Sequence, residues 1–342
     1  MFNPYKNVDF ASCIPIVSIS HAHATTQAVF NRLYAGGCRH MAISNYRPSV
    51  PYYPLPYGNI TDIPSDAIAC PNAEHFAFTG LPDVHCNGMG VVYSSGTESS
   101  GWKIDWKSGF TTLLSNLLYP DGGGITINHP AWTNRNQINL SAELAERMLD
   151  FDDRVLGVEA ITAYERNQAR GTDWWDSRDF WDEILLTGRR CLGFAVPDHG
   201  AEAYAAYGLT GEEWTGQNVL LLPSNSATTG ENANHSCLKA YRNGEFYCRV
   251  KQGTFAFTNI SVSGHTLSAS TNSGTKIRFI EDGNATEYNG TSASHIASDS
   301  SVYCRIEAED SNDNLLLSQA IIFREFRKPQ KANMGFKIAL LG

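Results

Sequence analysis

His21-Ala22-His23 closes an apolar run, Ile14-Pro15-Ile16-Val17-Ser18-Ile19. Two imidazoles two residues apart at a strand end point to the same side and can share one metal ion. The pattern recurs. Ala67-Ile68-Ala69-Cys70 precedes Glu74, Gly124-Ile125-Thr126-Ile127 precedes Asn128 and His129, and Leu192-Gly193-Phe194-Ala195-Val196 precedes Asp198 and His199. The isolated segment Asp83-Val84-His85-Cys86-Asn87 adds one more imidazole. Ligand-type side chains at the ends of several strands, converging on one face, are how an α/β barrel builds an active site. The chemistry such a set would do is metal-dependent hydrolysis.

Elements able to position these groups are legible up to about residue 215. Gln27 to Tyr34 reads as a helix, and Gly36-Gly37 leads to a strand over 40–44. Phe110 to Tyr119 reads as a helix closed by Pro120. Ser141 is suited to cap a helix over Ala142 to Leu149. Val155 to Ile161 reads as a strand, and Trp174 to Thr187 as an amphipathic helix leading to the strand at Cys191. Strands separated by helices predict parallel βα units.

From about residue 217 the pattern changes. One helix, Asn232 to Arg242, precedes short alternating runs at 255–257, 260–262, 277–280, 302–306 and 320–323. Asp282-Gly283-Asn284, Gly290, Asn312 and Asp313 punctuate them, which predicts an antiparallel, sandwich-like module. Ser268 to Gly274 reads as a loop or hairpin tip. The expectation is two units, 1–216 and 217–342.

At 342 residues, 42% hydrophobic and 18% charged, the chain has the composition of an ordinary globular protein with room for both units. Its formal net charge of -9 argues against nucleic acid as a partner. No apolar stretch reaches the roughly 20 residues that span a bilayer, so no membrane partner is expected. The start, Met1-Phe2-Asn3-Pro4-Tyr5-Lys6, lacks the basic-then-apolar design of a secretory signal. The eight cysteines form no C-x-x-C pair and sit mostly in apolar runs, as small hydrophobes do. A reduced, cytoplasmic protein acting on a small molecule is expected.

These residues resemble the polymerase-and-histidinol-phosphatase (PHP) family of metal-dependent phosphoesterases, over roughly residues 15 to 225. The helix and strand around Cys237 to Tyr247 look like the module appended in two-domain members. The resemblance implies a distorted (β/α)7 barrel with a smaller C-terminal β-sandwich-like domain. His21-Ala22-His23 matches the family's H-x-H motif, and Glu74 is the candidate for its metal-bridging glutamate, with Asp83 as the alternative. His85 and His129 match the histidines that complete the second metal, and Asp198 matches the closing aspartate. The family's T-D-H reads Ser44-Asn45-Tyr46 here, its acidic or histidine ligand after H-x-H is missing, and Asp198-His199 are adjacent instead of D-x-H. Those three places mostly serve a third metal, so two ions (Zn, Mn or Fe) are implied. The first would lie among His21, His23, Glu74 and Asp198, the second among Glu74, His85 and His129. His199 either completes a partial third site with Tyr46 or acts as an acid/base.

Two ions about 3.5–4 Å apart and bridged by a carboxylate lower the pKa of a shared water. His199 is the natural donor to a leaving oxygen. Arg47 and Arg135 are placed to neutralise a phosphate where a third metal would sit. Glu159 ends a strand and is read either as a carboxylate holding a ligand imidazole or as an ordinary solvated residue. His75 and His40 are expected to face away from the site, and His235, His265 and His295 to be surface residues. Trp132, Trp174 and Trp175 are candidate pocket walls. The tract 46–57, with four prolines and four tyrosines, reads as a stiff loop over the site. A phosphoester is the leading substrate, with a diester or a non-phosphate ester in view because third-site ligands are lost. The competing expectation is a catalytically degenerate PHP-like protein that binds a ligand or glycan.

Overall fold

The computed structural model describes residues 1–45, 60–95, 101–130, 133–134, 137–138, 140–162, 175–200, 216–250 and 253–326. The chain begins with β1 (Ile14–Ile19), α1 (Gln27–Ala35), β2 (His40–Met41), β3 (Ile68–Ala69), β4 (Glu74–His75) and β5 (Cys86–Met89). Next come α2 (Trp106–Ser115), β6 (Gly124–Ile127), β7 (Thr133–Asn134), β8 (Gln137–Ile138), α3 (Ala142–Leu149) and β9 (Val155–Thr162). Then follow β10 (Trp175–Asp176), α4 (Arg178–Leu185), β11 (Leu192–Val196), β12 (Gln217–Leu222), α5 (Gly230–Asn243) and β13 (Phe246–Val250). Beyond them the described residues form strands only. These are β14 (Phe257–Ser263), β15 (Thr266–Thr271), β16 (Gly274–Glu281), β17 (Asn284–Asn289), β18 (Ser292–Ile296), β19 (Tyr303–Asp310), β20 (Leu315–Ser318) and β21 (Ile321–Ile322).

The helices start where a side chain can satisfy an open backbone amide. Thr26 accepts from the amide of Val29, Asp105 from that of Ser108, and Ser141 from that of Leu144. Asp105 starts α2 earlier than the apolar pattern suggested, and the helix stops at Ser115 because Leu117 turns to bridge Val91. Trp175 and Asp176 pair with the end of β9, so α4 begins at Arg178 and not at Trp174.

The expected (β/α)7 barrel does not form. A ten-stranded sheet runs β17-β16-β19-β20-β13-β12-β1-β2-β3 with β21 on β19, and a six-stranded sheet runs β10-β9-β6-β5-β4 with β11 on β9. Both are mixed. β1, β2 and β3 are parallel, as are β6, β9 and β11, but β5 pairs antiparallel with both β4 and β6. The connection from β4 to β5 is too short for the crossover helix that parallel pairing needs, and the one from β3 to β4 passes from one sheet to the other. β12 then pairs antiparallel with β1, and β13 with β12, so sheet hydrogen bonding continues across the change in pattern at 216/217.

β12 explains how the parts share one interior. Leu220 and Leu222 pack with Phe194, Val196, Tyr241 and Phe246, between the two large sheets and α5. The alternate residues Val219 and Leu221 pack with Phe257, Ile260, Leu267, Ile277 and Ile306, under the C-terminal strands. Both faces of the strand are buried, hence its unbroken Val-Leu-Leu-Leu run. Helices α2, α3 and α4 cover the six-stranded sheet through Phe110, Leu113, Met148, Trp181 and Ile184. Phe30 and Leu33 of α1 cover Ile19 and Met41. Ser268 to Thr271, expected to be a loop tip, belongs to β15, where Leu267, Ala269 and Thr271 alternate inward. All eight cysteines are free. Among the described residues no helix is long and apolar enough to cross a membrane.

Candidate metal centre

The two sheets meet where β1 and β11 end. Ala22 forms a parallel bridge with Asp198, the amide of His23 donates to the carbonyl of Asp198 (3.1 Å), and the amide of Asp198 donates to the carbonyl of His21 (3.1 Å). Ser44 and Asn45 grip the same turn from the next strand. The amide of Ala22 donates to Ser44 Oγ (3.0 Å), and the Asn45 carboxamide both accepts from the amide of Ala24 and donates to its carbonyl. Beneath them Asn72 and Asn87 donate to the carbonyl of Ser20. The backbone carrying His21 and His23 is thus held by hydrogen bonds from several separate segments.

Six ligand-type side chains converge on this seam, all buried. One oxygen or nitrogen from each of His21, His23, Glu74 and Asp198 lies within 4.8 Å of the others, and the same holds for Glu74, His85 and His129. Glu74 divides its carboxylate between the groups. Its Oε2 lies 3.0 Å from His23 Nε2 and 3.5 Å from His21 Nε2, while Oε1 lies 2.7 Å from His85 Nδ1 and 3.3 Å from His129 Nε2. Asn128 donates to Oε1 at 3.0 Å and holds that half in place. Asp83, the alternative to Glu74, is half-buried and belongs to neither group.

The donor geometry fits divalent ions. His21 Nε2 and His23 Nε2 face each other at 3.3 Å, with Asp198 Oδ1 3.1 and 3.3 Å from them. Asp198 Oδ1 is buried against those two imidazole nitrogens, a costly place for a carboxylate oxygen unless imidazole protons or a cation compensate it. His21 Nδ1 lies 2.6 Å from Glu159 Oε1, which fixes its tautomer and aims Nε2 inward. Two of these residues hold strained backbone, with φ of 28° at His129 and 49° at Asp198, as is common where side chains are aimed for function.

Charge compensates within the cluster. Burial works against a charged His21, but the Asp198, Glu159 and Glu74 carboxylates outweigh it and raise its pKa well above the usual value. Burial is likewise outweighed at His23, by hydrogen bonds to Asp198 and Glu74, and at His129, by Glu74, Asp198 and Glu159, so both are raised. At His85 burial prevails over Glu74 and the pKa is lowered. Burial alone would raise Glu74 and Asp198, yet the neighbouring imidazoles hold both well below the carboxylate range.

His199 stacks on His23, ring centroids 3.7 Å apart and planes 9° apart, and is half-buried. Tyr46, Arg47, Arg135, Trp132, Trp174 and the tract 46–57 lie outside the described residues, and only the backbone of Trp175 is described. His40 and His75 are buried away from both groups, His40 against Ser18 and Asn234 and His75 against Ser95. His235, His265 and His295 are half-buried. Sequence reasoning overlooked the carboxamides of Asn45, Asn72 and Asn87; their signal was a polar amide inside or beside otherwise apolar strand runs. Compared with family models, with curated proteins and with solved structures, the chain gives no match.

Proposed function

We propose that this chain is a metal-dependent hydrolase of the PHP kind, acting on phosphoesters with two divalent ions held at Glu74. The observation that carries the reading is the divided Glu74 carboxylate, Oε2 toward His21 and His23, Oε1 toward His85 and His129. A buried carboxylate shared by two imidazole-bearing groups is the donor set of a dinuclear centre, and its nitrogen-rich character suits Zn²⁺, Mn²⁺ or Fe. Bound there, such ions supply Lewis acidity that polarises an ester and makes water nucleophilic near neutral pH.

The chain's own residues do the remaining work. His21, His23 and Asp198 hold one position, His85 and His129 the other, and Glu74 both. Glu159 keeps His21 in the tautomer whose Nε2 faces the centre. His199, half-buried and stacked on His23, is the proton donor to the leaving oxygen. A phosphodiester suits the site better than a monoester, because two ions in place of three leave less positive charge to offset a monoester's second negative charge.

Elemental mass spectrometry on protein purified without chelator should find about two equivalents of Zn, Mn or Fe per chain. Phosphodiester hydrolysis should follow with that metal. The double variant His21→Ala/His23→Ala should lose metal and activity while still unfolding cooperatively. Full activity in that variant, or no metal in the wild type even after reloading, overturns the reading. About three equivalents would bring in Tyr46 or His199 as a ligand and move the substrate class to monoesters.

A further inference from the structure

Glu159 touches more than the His21 imidazole. Its Oε1 lies 2.6 Å from His21 Nδ1, and its Oε2 accepts from the backbone amide of His129 (2.8 Å) and from Thr162 Oγ1 (3.1 Å). The carboxylate is fully buried. One oxygen therefore serves a residue of the first donor group and the other a residue of the second. The His129 contact is to the backbone, at the residue whose φ of 28° an imidazole-bearing residue rarely adopts. That amide bond holds the strained turn between β6 and Pro130 from which the His129 ring reaches Glu74.

The strand is shaped for this. Against β11, β9 pairs Glu159 with Phe194 and Ile161 with Ala195, so Ala160 is an extra residue. In a regular strand Glu159 and Thr162 would face opposite sides. The bulge at Ala160 changes that parity and puts Thr162 Oγ1 on the Glu159 carboxylate.

We infer that Glu159 is a positioning residue that couples the two metal positions, fixing the His21 ring with one oxygen and the His129 backbone with the other. The inference rests on the metal-centre reading above. A residue that merely oriented His21 would govern the first position alone; this one governs both.

The test is stepwise Zn²⁺ affinity, measured by competition with a chromophoric chelator on full-length protein. In Glu159→Gln the single carbonyl oxygen can accept on one side only, from His21 Nδ1 or from the His129 amide and the Thr162 hydroxyl. In Glu159→Asp the charge remains but the reach shortens by a methylene. Glu159→Asp should weaken both Zn²⁺ steps about 10–100-fold, and Glu159→Gln at least the one whose side faces the amide nitrogen. A step left at wild-type strength in Glu159→Asp, or both steps unchanged in Glu159→Gln, overturns the coupling. Should neither variant fold, the wild type decides. The His129 amide proton of Zn²⁺-loaded protein should exchange slowly with D2O, and exchange as fast as that of an open loop overturns the proposal. A wild type that binds no Zn²⁺ defeats the metal-centre reading itself. Two bound ions with unaltered affinities in the variants defeat only the role of Glu159.

Discussion

Four imidazoles and two carboxylates share one buried seam, and their protons are set by one another. His21, His23 and His129 hold protons more tightly than free imidazole because Asp198, Glu74 and Glu159 outweigh burial. Ions must displace those protons, so loading should release on the order of one proton per ion and affinity should rise with pH. Calorimetry of Zn²⁺ binding in buffers of differing ionisation enthalpy measures the release; heats independent of the buffer would contradict it. The sign for stability follows. A raised histidine pKa stabilises the metal-free fold below the unfolded value of about 6.5, and that contribution is lost as pH rises through the raised value. The gap in Tm between loaded and stripped protein should therefore widen toward alkaline pH. At this scale much was legible: the positions that converge were expected from strand ends and the family resemblance implied Glu74 as the shared carboxylate, whereas the two arms of Glu159 depend on distances across strands.

β9 carries the irregularities that aim the site. It gains one residue relative to β6 between Ile125 and Thr126, and another relative to β11 between Phe194 and Ala195. Gly157 lies between these two shifts, where β9 and β11 approach closely. A Cβ there would lie 1.9 Å from the carbonyl oxygen of Leu192 and 2.4 Å from its nitrogen. Gly157→Ala must push β11 away from β9, at a cost of about 3 kcal/mol in urea unfolding. Because β11 leads into Asp198, metal stoichiometry should fall as well; a variant with unchanged midpoint and full metal content would contradict this account. The starts of α1 and α3 and the apolar strand runs were readable from caps and periodicity, whereas the starts of α2 and α4 were not. Pairing directions were not, because the short β3, β4 and β5 segments carry no signal that separates parallel from antiparallel partners.

The molecule is joined through the strands that follow residue 216. β12 lies between β1 and β13, and Tyr241 of α5 donates to Ser18 Oγ, which also contacts His40 Nδ1 at 2.7 Å. Asn234 of α5 holds His40 Nε2 at 3.0 Å. This buried chain ties β1, β2 and α5 together, and burial, only partly offset by Asn234, lowers the His40 pKa to about 4. The unfolded chain takes up a proton at about pH 6.5 that the native His40 refuses. Stability should thus fall by about 3 kcal/mol from this residue as pH drops from about 6.5 toward 4. The slope of unfolding free energy over that range should be shallower in His40→Gln than in the wild type; equal slopes would remove His40 as the cause.

What the residues alone determined is local. The strand-end ligands His21, His23, Glu74, His129 and Asp198, together with His85, and the caps Thr26, Asp105 and Ser141 each act through periodicity or through a neighbour a few positions away. Tertiary structure decided the rest. It opened the expected barrel into two mixed sheets, drew Ser268 to Thr271 into a strand, and ran the long sheet from β1 through β12 into the C-terminal strands. Strand partners are chosen by which apolar faces can be buried together, as on the two sides of β12. That choice depends on segments far apart in the chain, and only once it is made do Glu74 and Glu159 each acquire two sets of neighbours.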